Sequence, residues 1–306
     1  MGGPLKLSPL NTARENAAQR IAVAAVAVCS LALATTAAAA PSASGATKDA
    51  AIAKQVPAAI AAKGTLNVAA DASYAPNEYF DADGKTVIGM DADLAKAIAT
   101  VMGLKANVKN AGFDSIIPGL AAKKYDLGMS SFTDTKEREK VVDFVTYFAA
   151  GTLFYVQAKG GPAISGLGDL CGHTVGAERG TTQATDVAAQ DKACKTAKKS
   201  GVALSVFPDQ NGANLALSSG RVEIVMADTP VAVYAVQKSK AKFKITGKPY
   251  GTSPYGIAIP KNSGMVKPTL AAVKKLIANG TYGKILTKWG LKSGAIKNPV
   301  VNGAKS

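Results

Sequence analysis

The chain is predicted to be an α/β protein of two lobes. Short apolar strand patterns alternate with helical ones along nearly the whole length, and the alternation falls into two successive series. Alternation of this kind predicts a mostly parallel sheet with helices on both faces. About 265 residues remain after a leader, more than a single core usually serves.

Residues 1–40 are expected to be an export signal. Lys6, Arg14 and Arg20 outweigh Glu15 ahead of the apolar run Ile21 to Ala34, and small residues follow through Ala40. That run is too short to cross a bilayer and has the dimensions of a signal-peptide core. Cleavage is expected near Ala38 or Ala39, because Pro41 directly after the cut is unfavourable. Soluble secretion and lipid anchoring through Cys29 both stay open, although Val28 is bulky for an acylation signal and the residues after Cys29 are apolar. Either way the chain is exported, to the periplasm or the extracellular face of the cell membrane. Residues 41–63 read as a flexible lead-in followed by a short helix.

The first series starts with a strand over Leu66 to Ala70. Asp91 is expected to cap a helix whose Leu94, Ile98, Val101 and Met102 fall at helical spacing, and Gly103 ends it. Ala106 to Val108 is the next strand. Asp114 then caps Ser115 to Ala122, with Pro118 in the first turn. Asp126 to Met129 is a strand leading into Ser130-Ser131-Phe132-Thr133-Asp134-Thr135-Lys136-Glu137-Arg138, which opens a further helix.

In the second series Thr174 to Ala177 is a strand running into Gly180-Thr181-Thr182, a helix start. Val202 to Phe207 is a strand, Asn211 to Ser219 a helix closed by Gly220, and Val222 to Ala227 a buried strand. Asp228-Thr229-Pro230 begins the following helix, with Pro at its first position.

Composition excludes several classes. The net charge is +15, and residues 248–306 hold ten lysines with no Asp or Glu. Nucleic-acid binding calls for aromatics interleaved with that charge or a recognisable motif, and neither is present. His173 is the only histidine, which leaves metal binding without a fourth ligand and nucleophilic hydrolysis without a base outside a turn. No cofactor is expected. Cys171 and Cys194 are the only cysteines after the leader, and an even pair in an exported protein favours one disulfide.

Ligands of open α/β sheets bind beyond the carboxyl ends of the strands. Four polar clusters occupy such ends: Asp71 to Tyr74, Ser130 to Thr133, Gly180 to Thr182, and Asp228 to Thr229. With Arg138 they offer a cation, two carboxylates, several hydroxyls and an aromatic, a set that suits a small zwitterion. Arg binds carboxylates bidentately, and a helix N-terminus adds N–H donors.

These residues resemble the extracellular solute-binding proteins of family 3, which deliver polar amino acids to ABC importers. The similarity runs from about Gly64 to Leu291. Its landmarks include Gly-Met-Asp-Ala-Asp-Leu-Ala-Lys-Ala-Ile at 89–98, Phe-Asp-Ser-Ile-Ile-Pro-Gly-Leu at 113–120 and Tyr-Asp-Leu-Gly-Met-Ser-Ser-Phe-Thr-Asp-Thr-Lys-Glu-Arg at 125–138. Arg-Gly-Thr-Thr-Gln at 179–183, Met-Ala-Asp-Thr-Pro-Val-Ala at 226–232 and Asn-Gly-Thr-Tyr-Gly-Lys-Ile at 279–285 continue it.

The resemblance implies a two-lobe periplasmic-binding-protein-like fold (type II), each lobe a mostly parallel sheet flanked by helices, with a two-strand hinge. Lobe 1 is expected over 64–150 and 248–306, and lobe 2 over 151–247. It implies that Arg138 holds an α-carboxylate with N–H groups near Thr133 and Thr182, and that Ser131, Thr133 and Asp228 hold the α-ammonium. Tyr74 and Phe113 flank the side chain, and Ser130 and Thr181 complete the expected site. Asp71 aligns with an acid that accepts from the side chain of lysine, arginine, histidine or glutamine ligands; an ionised carboxylate disfavours acidic ones. Glu178 either adds negative potential or points into solvent. Asn77 departs from the apolar residue many relatives carry after the Tyr-Ala-Pro turn.

The implied partners are a free polar or basic amino acid and an ABC permease, with the binding protein itself a monomer and no nucleic acid involved. Ligand contact with both lobes favours the closed form, which the permease reads. Two other readings are an exported cyclohexadienyl dehydratase acting on prephenate or arogenate, and a sensory partner of a membrane receptor.

Overall fold

The computed structural model describes residues 45–305; the expected export signal, its cleavage site and Cys29 lie outside them. The chain order is α1 (Ala50–Ala53), α2 (Ala58–Lys63), β1 (Thr65–Ala70), β2 (Ser73–Tyr74), β3 (Glu78–Phe80), β4 (Val87–Ile88), α3 (Met90–Val101), β5 (Lys105–Asn110), α4 (Phe113–Ala121), β6 (Leu127–Gly128), α5 (Lys136–Glu139) and β7 (Val142–Gln157). There follow β8 (Thr174–Glu178), α6 (Thr182–Thr196), β9 (Ala203–Phe207), α7 (Gln210–Ser218), β10 (Ile224–Asp228), α8 (Thr229–Lys238), β11 (Phe243–Pro260), α9 (Val266–Ala278) and α10 (Thr281–Trp289).

Eight strands form one ladder in the order β5-β1-β6-β11-β7-β10-β8-β9, and β2, β3 and β4 form a small antiparallel sheet. The outer strands pair in parallel on both sides, β5-β1-β6 in one half and β10-β8-β9 in the other. Between them β7 and β11 run antiparallel to each other through both halves. Their register slips between Thr246 and Tyr250 and again between Tyr250 and Ser253, where the pair crosses from one half to the other. Such bulges bend a strand pair locally without breaking it.

Each half has its own apolar core. Leu66, Val68, Met90, Leu94, Ile98, Tyr147, Ile257, Leu276 and Leu286 pack α3, α9 and α10 against the first half. In the second half Leu217, Val225 and Val231 fill one face of the sheet, and Phe154, Val175, Val187 and Met226 the other. The Cys171–Cys194 disulfide is formed, with 5.7 Å between the Cα atoms. It ties α6 to the turn before β8.

Three local expectations are corrected. Residues 46–56 are not a loose lead-in: Ala46, Ile52 and Val56 are buried in the first core, Asp49 caps α1, and Lys275 of α9 pairs with Asp49 at 3.2 Å. Asp91 does not cap α3. The cap is Gly89, and Asp91 is fully buried inside the first turn because Ser131 N–H and Tyr147 Oη bind its carboxylate. Asp114 likewise lies inside α4, which Gly112 caps, and Pro118 is within that helix rather than in its first turn.

Candidate functional site

The strand ends that carry the predicted polar clusters converge on one cavity between the two halves. Asp71, Tyr74, Phe113, Ser130, Ser131 and Arg138 line it from the first half, and Glu178, Thr181, Thr182, Gln183 and Asp228 from the second. Of the residues expected from sequence only Thr133 stands off the lining; its carbonyl accepts Arg138 Nη1 at 2.8 Å. Gln183 was not among them. Its place at the end of the Arg-Gly-Thr-Thr-Gln motif, one residue into α6, is the signal that points to it.

Arg138 lies in α5, which Thr135 caps through a bond from Arg138 N–H (3.2 Å). Its guanidinium stacks over Phe113 and Phe132, 5.3 and 5.4 Å from the ring centroids, and those rings stack on each other at 4.5 Å. Nη2 donates to Gly180 O across the cavity at 2.9 Å. Two of five N–H donors are thus used, and three remain for an anion. Burial lowers the group to about 10, with the Asp228 charge opposing, so it stays cationic at neutral pH. Facing it, α6 is capped by Thr181, whose hydroxyl accepts Ala184 N–H at 3.3 Å. The first-turn N–H groups and helix dipole favour negative charge at the same spot.

Asp228 ends β10 and precedes α8, yet its carboxylate makes no capping bond. It turns into the cavity, accepting Gln183 Nε2 (2.8 Å) on Oδ1 and Tyr255 Oη (2.6 Å) on Oδ2. Burial raises it to about 6, against those hydrogen bonds and the Arg138 charge. A guanidinium and a carboxylate therefore stand together in the cavity.

The lining also carries two further acidic side chains, Asp71 and Glu178. Asp71 follows β1, with Oδ1 accepting Ser73 N–H at 3.1 Å and Oδ2 accepting Phe113 N–H at 2.8 Å. Burial raises its pKa. Glu178, at the end of β8, does not point into solvent: it is 2% exposed, and its Oε1 meets no donor among the described residues. Burial, then the charges of Asp71 and Asp209, raise it to about 10. Asn77 is buried outside the cavity lining, donating from Nδ2 to Ser131 Oγ at 2.8 Å.

Several contacts close the cavity. Asp228 N–H donates to Tyr74 Oη (3.1 Å) and Gln210 N–H to Ser73 Oγ (3.1 Å). At the rim Arg179 pairs with Asp114 at 3.7 Å. Gly180 has φ +79°, and a Cβ there would come 3.1 Å from that of Asp114, so a glycine suits this close approach.

Comparison with known proteins agrees with this architecture. The model for bacterial extracellular solute-binding proteins, family 3, matches residues 66–292. The arginine-binding protein ArgT of Corynebacterium glutamicum is 32% identical over 252 residues, covering 82% of each chain. An ancestral arginine-binding protein bound to arginine superposes with a TM-score of 0.68 at 39% identity, over 74% of this chain and 98% of that one. The ancestral amino acid-binding protein AncCDT-1, a precursor of cyclohexadienyl dehydratase, gives 0.66 at 31% identity, over 76% and 97%. No helix among the described residues is long and apolar enough to cross a membrane.

Proposed function

The chain belongs to the bacterial extracellular solute-binding proteins of family 3, and on that premise we propose that it is the amino-acid-binding component of an ABC importer whose ligand carries a cationic side chain, arginine foremost. The observation that carries the ligand class is the facing of Asp71 and Glu178, two buried carboxyls contributed to the cavity by opposite halves. Two such groups with no cation beside them are costly unless one is protonated or a cation enters. A guanidinium supplies several donors in one plane and can engage both.

Arg138 and the start of α6 take the α-carboxylate, while Asp228 and the Ser131 carbonyl take the α-ammonium. Residues 64–150 with 248–306 form one lobe and 151–247 the other, closing about the β7–β11 pair. The arginine-binding relatives support this reading. The protein works outside the cytoplasm as a monomer, presenting its closed form to a permease.

AncCDT-1 raises an enzymatic alternative, for which Glu178 is the one acid held protonated in the cavity. A substrate with two carboxylates, such as prephenate, would however meet Asp71, Glu178 and Asp228 together, and we read the chain as a binding protein. Thermal unfolding against each of the twenty amino acids tests the proposal, since a ligand in excess raises stability by mass action. Arginine and lysine should raise the midpoint most, glutamine less and glutamate not at all. Stabilisation by glutamate alone, or by no amino acid, would refute it.

A further inference from the structure

Hydrogen-bonded to Ser130 and Ser131 is a second acidic cluster, outside the cavity lining. Glu78 of β3 and Asp91 of α3 are both fully buried. Glu78 accepts the Ser130 hydroxyl on Oε1 (3.1 Å) and the Ser131 hydroxyl on Oε2 (3.2 Å). Asp91 Oδ2 accepts Ser131 N–H (2.9 Å) and Tyr147 Oη (2.7 Å), while its buried Oδ1 meets no donor among the described residues. Both carboxyls therefore meet at Ser131, on its N–H and its hydroxyl. Two carboxyls buried this close together cannot both ionise cheaply, which favours a proton on one of them.

The backbone is arranged to create this meeting. Gly89 has φ +126°, and a Cβ there would come 2.1 Å from Asn77 O, so β3 can lie against the start of α3 only with a glycine at this point. The ionised partner is identifiable. Asp91 keeps two donors and the favourable dipole of a helix start. Burial and the Asp91 charge raise Glu78 well above the carboxylate range, whereas Asp91 rises only to about 6. Other titratable groups acting on the pair are Asp71 at the end of β1, Tyr74 of β2 and Tyr147 of β7.

Ser131 is the residue this pair constrains most. Its φ of +50° is uncommon for a side chain with a Cβ, and its N–H goes to Asp91 while its hydroxyl goes to Glu78 and receives Asn77 Nδ2. Ser130 Oγ passes the constraint on by accepting Asp71 N–H at 2.8 Å. We propose that Glu78 and Asp91 are positioning residues for ligand binding, a carboxylic acid–carboxylate pair sharing one proton that holds Ser130, Ser131 and Asp71 in their ligand-binding conformation. The idea rests on the amino-acid-binding reading above.

The test uses Glu78→Gln, which keeps a donor toward Asp91, and Glu78→Leu, which keeps bulk alone, with arginine binding followed by calorimetry. In parallel, the carboxyl-carbon resonance of Glu78 is followed by NMR in the ligand-free protein across the neutral pH range. The expected result is a Glu78 resonance that stays protonated, Glu78→Gln binding within about threefold of the parent, and Glu78→Leu weaker by about tenfold or more. A Glu78 resonance titrating like an exposed glutamate overturns the proposal, whether or not Glu78→Leu folds. So does a folded Glu78→Leu that binds like the parent, or a Glu78→Gln as weak as Glu78→Leu. Failure of the parent to bind any amino acid would instead refute the function, and the resonance would still decide whether the pair shares a proton.

Discussion

Glu178 is held by β8 with one carboxyl oxygen undonated and its pKa near 10, against Asp71 across the cavity. In the empty closed form it therefore carries a proton at neutral pH. A ligand cation placed between Asp71 and Glu178 reverses the balance, favouring the ionised form and lowering the pKa. The sign follows for the closed form: it binds more protons without the cation than with it, so the affinity of that form for arginine rises with pH through the neutral range. Calorimetry in two buffers of different ionisation enthalpy should read at most one proton released per arginine bound, in proportion to the closed fraction of the ligand-free protein. Glu178→Gln should abolish most of that release and weaken arginine more than glutamine; equal proton release in that variant would contradict the role. Sequence left Glu178 between pocket and solvent, because strand alternation does not say which face of a terminal residue meets a partner lobe. Asp91 misled for a related reason. Its spacing before an apolar helical run matches a cap, and only the approach of Ser131 and Tyr147 from other elements shows that it is buried.

Among the elements, α6 links the cavity to the fold, since its N-terminus lines the cavity while Cys194 in its last turn is bonded to Cys171. The helix is weakly amphipathic, with Gln183, Val187 and Cys194 its buried residues. Packing alone thus holds it lightly, and the disulfide adds about 2–4 kcal/mol by restricting the unfolded chain. Paired Cys171→Ser and Cys194→Ser substitutions should lower denaturant-unfolding stability by about that amount, with arginine affinity changed far less. A stability unchanged by the double substitution would show that the bond contributes little. Most elements of this kind were legible: β1, β5, α7 and β10 appear within a few residues of the expected spans, and α6 and α8 begin where their capping residues placed them. The sheet of β2, β3 and β4 was not, since strands of two or three residues offer no period to read. The continuity of β7 and β11 also escaped pattern alone, as their burial changes where they pass between halves.

At the scale of the molecule, the two halves meet through few contacts besides the β7–β11 pair. Tyr74, Ser73, Arg138 and Tyr255 each take part in one hydrogen bond between the halves, the rings of Tyr79 and Tyr234 lie 6.1 Å apart, and the half-exposed Arg179–Asp114 pair is of the kind that contributes about 0–1 kcal/mol. Against them stands the confrontation of Asp71 with Glu178, which a cationic ligand relieves. Closure is thus expected to depend on the ligand, which binds the closed form better and shifts the population toward it. The most direct test is small-angle X-ray scattering of the purified protein with arginine and, separately, with glutamate. Arginine should lower the radius of gyration as the lobes close, and glutamate should leave the curve unchanged. A scattering curve indifferent to saturating arginine, or a contraction produced by glutamate, would contradict the account.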